Sequence, residues 1–466
     1  MFDDENDDYF GDDLKLDMER FERFLQGEPI GFLDSDRWEA LVDNYIISGS
    51  YNKALRAAQE ALTQFSYNDL FRLREAQAYS GLGQLKNSLN ILQELEDKGI
   101  SSFELAMTKA AVFSQLKDPN SAIRAFREAI ALAGREERDE VYIDLAVEYQ
   151  NKDDFDSSIK VLEEALAINP HNEVAVYELA HCYEHLGDLE KAVKCYSDFI
   201  DENPYSFTAW YNLGNTYSRL ENFDKAIWAY DYCLLINEKF GPVHFNMGNA
   251  YLNLDKYTKA IEAFNESIRL DGDDPVAYSY IGECHEQLGE LELAKLYYSK
   301  SVELAPSLPE AWLGLGIVAD LEGNTKEGLQ HILRAQELDP TNAAIVHVLA
   351  GAYEKLDDRE QANECYLRAL DLDPYDEECL SNYIDFLKEV SPIEAYHFID
   401  EYSKDYPEME IAVVIRISLL WDMGRKYDAV HLFKDLVNSN RDLALELFRL
   451  SPALKSVPEF VLLGDQ

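Results

Sequence analysis

Hydrophobic and polar positions along this chain fall into paired stripes with helical spacing. Between positions 207 and 240, Trp210, Leu213, Gly214 and Tyr217 share one stripe, and Phe223, Ala226, Tyr230 and Cys233 share a second. Such spacing predicts two amphipathic helices whose apolar faces meet in a hairpin. The pattern returns every 34 positions. Gly214, Gly248, Gly282, Gly316 and Ala350 form one ladder, Tyr149, Tyr183, Tyr217, Tyr251 and Tyr353 a second, and Pro170, Pro204, Pro306, Pro340 and Pro374 a third. A hairpin of this size cannot bury its apolar face alone, so neighbours must stack to make a core.

Counting Phe207 as place one, small residues stand at places eight and twenty (Gly248 with Ala260, Gly282 with Ala294, Ala180 with Ala192). They let two helix backbones approach while larger residues fill the grooves. Proline at place thirty-two ends each second helix, because it lacks an N–H and its ring clashes with the preceding turn.

An aromatic residue at four, leucine then glycine or alanine at seven and eight, tyrosine at eleven, alanine at twenty and proline at thirty-two closely resemble the tetratricopeptide repeat family. The resemblance implies an all-α fold, an α-solenoid of about twelve helical hairpins wound into a right-handed superhelix. Units are expected to start near Ser35, Asp69, Phe103, Asp139, Glu173, Phe207, Gly241, Pro275, Pro309, Ala343, Glu377 and Glu410. Departures are local: an insertion after Gly134, a missing residue around Pro392, and Glu238 and Gly272 where proline is expected. No Gly/Ser/Pro-rich linker interrupts the period, so residues 35–443 are read as one continuous array.

The flanks read differently. Residues 1–11 are too acidic to bury anything and are expected to be disordered, whereas Leu14, Met18, Phe21 and Leu25 line one face of a capping helix within 1–34. Over 444–466, the helix carrying Leu443, Leu447 and Leu450 is followed by Pro452 and Pro458. Phe460, Val461, Leu462 and Leu463 then suggest a folded-back cap or an apolar self-association tail.

Charge narrows the partner class. With 42 basic and 89 acidic residues, net −47, the chain would repel nucleic acid and anionic lipid. The start MFDDENDDYF lacks a secretory signal, and the longest apolar run, Ile411 to Trp421, is short and holds Arg416. A cytoplasmic protein without membrane insertion is expected. The six cysteines form no CxxC pair and mostly occupy small apolar places, as reduced packing residues.

Candidate chemistry is sparse. HCYEH, from His181 to His185, sets two histidines one turn apart with a glutamate beside the second, a pattern some zinc peptidases use. Two ligands without a third make a weak site, so a zinc hydrolase is a remote alternative. No nucleophile elbow or phosphate-cradling glycine loop is present, and repeats plus caps use up the chain. Neither cofactor, metal nor enzymatic role is assigned.

The resemblance implies that first helices line a concave surface, with places two, five, six, nine, twelve and thirteen facing it. On that map Tyr177, Glu178, His181, Glu184, His185, Tyr211, Asn212, Asn215, Arg219, Phe245, Asn246, Asn249 and Asn253 form the richest polar and aromatic stretch. Asparagine amides suit the N–H and C=O groups of an extended peptide, and Tyr211 and Phe245 its side chains. They also lie close to the repeat's average sequence. Chaperone-binding relatives clamp a C-terminal carboxylate with lysines and asparagines, including a lysine at place five. Tyr177, Tyr211 and Phe245 stand there instead, which disfavours an acidic tail.

Over ten units the concave places hold thirteen acids (Asp36, Glu39, Asp43, Glu104, Glu140, Asp144, Glu178, Glu184, Glu283, Glu286, Glu310, Asp320 and Glu354) against the bases Arg74, Arg219 and Lys355. A basic or amide-rich partner segment, drawn by a field that salt screens, follows, with solubility as the plainer account. On the opposite surface Trp228 and Tyr232 stand where charged residues are usual, offering a second contact or lateral packing. The function expected is a monomeric protein-interaction scaffold; the alternative is a self-associating structural subunit.

Overall fold

A computed structural model describes residues 4–135 and 137–461. The chain divides into two compact units, Met1–Glu238 and Lys239–Gln466. The described residues are helices and short connections, without strands.

In the first unit, α1 (Asp4–Leu25) precedes six hairpins: α2 (Ser35–Ile47) with α3 (Tyr51–Gln64), α4 (Asp69–Gly81) with α5 (Leu85–Asp97), and α6 (Phe103–Gln115) with α7 (Pro119–Leu132). They continue with α8 (Arg138–Gln150) and α9 (Phe155–Ile168), α10 (Glu173–His185) and α11 (Leu189–Glu202), α12 (Phe207–Arg219) and α13 (Phe223–Ile236).

The second unit pairs α14 (Gly241–Asn253) with α15 (Tyr257–Asp271), α16 (Pro275–Gln287) with α17 (Leu291–Leu304), and α18 (Pro309–Leu321) with α19 (Thr325–Leu338). Next come α20 (Ala343–Lys355) with α21 (Arg359–Leu372), α22 (Glu377–Val390) with α23 (Pro392–Asp405), and α24 (Ile411–Asp422) with α25 (Lys426–Ser439). The unit ends in α26 (Arg441–Leu450), a 3-10 turn (Pro452–Ser456) and α27 (Pro458–Val461). Twelve helical hairpins among the described residues agree with the fold class expected from the period.

Each hairpin is punctuated by the same backbone devices. Asn172 and Ser206 cap first helices by accepting the N–H of Ala175 and Ala209, which satisfies donors that the first turn leaves unpaired. Place fifteen, between the helices, takes a left-handed conformation that ends the first helix. Glycine serves there at Gly187 and Gly289, but Lys117, Asp153, Glu221, Asp255 and Asp357 adopt φ of 56 to 59° with side chains attached.

The glycine ladder has a steric cause. A β-carbon on Gly214 would lie 2.3 Å from the Tyr230 ring, on Gly248 2.6 Å from Phe264, on Gly282 2.8 Å from Tyr298, and on Gly316 2.5 Å from Ile332. Place eight is thus small because place twenty-four of the same hairpin fills the space above it. Tyrosines of the second ladder support lysines of the second helix, with Lys191, Lys225 and Lys259 5.2 to 5.5 Å from the ring centres of Tyr183, Tyr217 and Tyr251. The proline ladder also anchors the next repeat: Trp210 Nε1 donates to the Pro204 carbonyl and Trp312 Nε1 to that of Pro306, both at 3.0 Å.

At the N-terminal end, α1 covers the first hairpin. Phe21 is fully buried against Trp38 and Tyr45, and the buried carboxylate of Asp17 accepts two hydrogen bonds from the Arg37 guanidinium, at 2.5 and 2.6 Å. Leu14 and Met18 pack on this cluster; Leu25 is exposed. The helix begins at Asp4, upstream of Asp12 where its apolar face starts. Residues 4–11, expected from their composition to be disordered, fall within α1. Residues 1–3 lie outside the described residues. At the far end Leu447 is buried, and Phe460 packs against Phe433 and Trp421 at 4.8 and 5.1 Å between ring centres. The Val461 side chain, Leu462 and Leu463 fall outside the described residues.

Candidate functional site

The concave places of each unit are knitted together by polar bonds that jump one repeat. In the first unit Glu184 of α10 accepts from Thr216 Oγ1 at 2.8 Å and from Arg219 Nη1 at 2.6 Å, both on α12. Arg74 of α4, largely buried, reaches Asp43 of α2 (2.6 Å) and Glu104 of α6 (2.7 Å). Lys355 of α20 meets Asp320 of α18 at 2.5 Å in the second unit. The three concave cations are therefore paired with concave acids of adjacent repeats, and the excess acids of the count remain without a concave cation of their own.

The polar stretch picked out from sequence divides between the units, Tyr177 to Arg219 in the first and Phe245 to Asn253 in the second. Several of its groups also serve the fold. The Tyr177 hydroxyl donates to Glu173, and burial followed by that bond raises its pKa. Asn215 Oδ1 accepts from the Tyr230 hydroxyl at 2.8 Å. Asn253 Nδ2 donates to the Asn249 carbonyl one turn back, at 2.9 Å. Tyr211 lies 6.2 Å from Tyr230, and Phe245 5.6 Å from Phe264, between ring centres. Asn212 and Asn246 are half-buried on the same faces.

His181 is exposed, while the His185 ring stacks on Phe155 of α9 at 3.9 Å and 17°. The two histidines do not converge on a third ligand among the described residues. The group that does converge is His347, Asp376 and Cys379, within 4.8 Å of one another. There Asp376 Oδ1 caps α22 by accepting the Cys379 N–H, and His347 Nε2 faces Asn382 at 3.0 Å. Burial pushes the Cys379 thiol up to about 12, as it raises Cys195 and Cys233 to about 11 and Cys284 to about 12. These thiols stay protonated and pack as small apolar groups.

On the opposite surface the aromatic pair is part of a triad: Tyr232 stacks on Trp210 at 4.6 Å and 14°, with Trp228 5.2 Å from each. Trp228 and Tyr232 keep 46% and 41% of their surface exposed. The lateral packing considered from sequence is thus present, alongside an open apolar edge.

Cavities open elsewhere along the concave places, in the second unit. One of about 500 Å³ between α16 and α18 is lined by all six concave places of the eighth repeat, among them Tyr280, Glu283 and Glu286, and by Glu310 and Leu313 of the ninth. A second, of about 640 Å³, is lined by His347, Glu354, Lys355 and Asn382 of α20 and α22. The acids were legible in the sequence as a tally. Their convergence was not, because it depends on Gly314: a β-carbon there would strike the Tyr298 ring at 2.2 Å, so glycine lets that ring form the cavity floor.

Among the described residues no helix is long and apolar enough to cross a membrane. Sequence models of the tetratricopeptide repeat match residues 150–204, 195–227, 242–274, 277–308 and 343–376. A model of anaphase-promoting complex subunit 5 matches residues 65–152. No curated protein matches in sequence. Similar solved structures include the APC/C hetero-tetramer Cut9-Hcn1, at 17% identity, 89% of this chain, 95% of that chain and TM-score 0.44. A MamA protein is 26% identical over 36% of this chain and 92% of its own, with TM-score 0.34. A tetratricopeptide repeat protein from Parabacteroides merdae is 19% identical over 53% and 97%, with TM-score 0.41. Five matched segments, of which 242–274, 277–308 and 343–376 each span one packed hairpin, identify this chain as one that carries tetratricopeptide repeats.

Proposed function

We propose that the chain is a non-catalytic scaffold that captures extended segments of partner proteins along its first helices. The observation that carries this reading is the pair of cavities lined by concave places of repeats eight to eleven. Apolar walls with a few convergent polar groups are the usual make-up of a binding site. The acidic balance of those places favours a basic or amide-rich segment. Residues 35–443 act as the binding array, 1–34 and 444–466 as its covers, and the protein works as a cytoplasmic monomer.

Tyr177, His181, His185, Tyr211, Asn212, Asn215 and Arg219 in one unit, and Phe245, Asn246, Asn249 and Asn253 in the other, contribute contacts; Trp228 and Tyr232 offer a second contact surface. Affinity capture from the native cell tests this, repeated with Asn212, Asn215, Asn246 and Asn249 changed to alanine in chains shown to be folded. Partners recovered by the wild type are expected to be lost, and weakened by salt. Unchanged recovery would remove these asparagines from the site.

The similarity of residues 65–152 to a subunit of a large complex favours a second reading, a structural subunit that lends shape to an assembly. Light scattering separates the two: mass rising with concentration supports self-association through the end covers, and a constant monomer mass supports the scaffold.

A further inference from the structure

The cavity between α16 and α18 gathers carboxylates from two repeats in one place. Asp43, Glu104, Glu184 and Asp320 each meet a cation on an adjacent repeat. Here Glu283 and Glu286 of α16 and the exposed Glu310 of α18 line one cavity, and none of the three forms an ion pair among the described residues. The lysines nearest in sequence are committed elsewhere, Lys295 to Glu322 and Lys300 to Asp273. Glu286 accepts one hydrogen bond, from the Tyr298 hydroxyl at 2.9 Å; Glu283 accepts none among the described residues. Burial pushes both carboxyls above their ordinary range, the sign of charge held out of water without compensation.

The remaining wall is aromatic and aliphatic. Tyr280 is fixed by stacking on Phe264 at 5.4 Å and 14°, Tyr298 is wedged between Gly282 and Gly314, and Leu313 closes the α18 side. A volume near 500 Å³ lies in the range of sites that enclose a small ligand group.

We propose that this cavity is the specificity pocket of the scaffold and receives an arginine side chain from the bound partner segment. The inference rests on the peptide-capture reading above and names the residue that the captured segment must carry. Three features select arginine. Its charge survives transfer from water at any physiological pH, it forks two N–H groups toward a carboxylate, and its planar face stacks on tyrosine. Lysine would answer the charge but supply neither the fork nor the stacking plane.

Selection of a random-sequence linear peptide library on the full chain tests the proposal. Wild-type protein is expected to enrich peptides with one fixed arginine. Replacing that arginine by citrulline, which keeps the shape and removes the charge, should weaken binding by about tenfold or more, and lysine should fall between. The isosteric variant E283Q/E310Q, verified as folded by circular dichroism, should lose most of the arginine-to-citrulline ratio. Enriched peptides without a fixed arginine, or a ratio unchanged in the variant, would overturn the pocket and leave peptide capture standing. Failure to enrich any peptide would overturn both.

Discussion

Arg219 and Glu184 lie thirty-five positions apart in sequence and 2.6 Å apart in space, on the first helices of consecutive repeats. Thr216 holds the other oxygen of the same carboxylate, so one acid on α10 is gripped twice by α12. Arg219 is half exposed, and a pair of that kind contributes about 0.2–1 kcal/mol. Substituting R219A is expected to lower stability within that range, with a difference from wild type that shrinks at high salt. Denaturant unfolding at two ionic strengths checks both statements.

Two helical glycines of the second unit should respond to alanine in opposite directions. At Gly314 the added methyl meets the Tyr298 ring at 2.2 Å, and Gly282 blocks retreat on the other side. The variant G314A is expected to lose about 1–3 kcal/mol through overpacking. At Gly351 on α20 nothing lies within 4 Å of the added atom. There G351A is expected to gain about 0.5–1 kcal/mol from helix propensity. Thermal unfolding of the two variants beside wild type decides; a shared sign would contradict the packing described.

Glu221 holds φ at 56° between α12 and α13, a conformation that costs a residue with a β-carbon about 1–2 kcal/mol. Other repeats place Gly187 and Gly289 at the same turn. The change E221G is expected to be neutral to stabilising by about 1 kcal/mol, since glycine's own entropic cost offsets part of the relief. Chemical denaturation measures it, and a clear loss would mean that the Glu221 side chain holds a contact of its own.

The paired carboxyls of the α16–α18 cavity set a pH dependence of unusual sign. Burial raises Glu283 and Glu286 in the folded chain, so as pH falls the folded form takes up these protons before the unfolded form does. Their contribution is least favourable when both are ionised and improves as pH falls through the folded pKa toward the unfolded one. Tyr280, Tyr298 and Cys284 beside them are raised by the same burial and stay neutral. The E283Q/E286Q variant should therefore exceed wild type in melting temperature at pH 7, with a gap that closes as the pH falls toward 4. A gap that widened would contradict the burial.

The 34-residue period, its small, aromatic and proline ladders, and the hairpins they specify were all readable from the amino-acid order. Each follows from a local rule: helical spacing of apolar residues, proline as a helix breaker, a small residue wherever two backbones cross. Gly248 needs no coordinates to be understood as a crossing point, because its partner Phe264 sits in the same hairpin. The tertiary structure decided what lies between hairpins. That Arg74, Arg219 and Lys355 are neutralised by neighbouring acids, that His185 leans on Phe155, and that Glu283, Glu286 and Glu310 converge around an aromatic cavity depend on how side chains from different repeats meet. Such meetings are set by rotamers and packing across repeats, which a period in sequence does not encode.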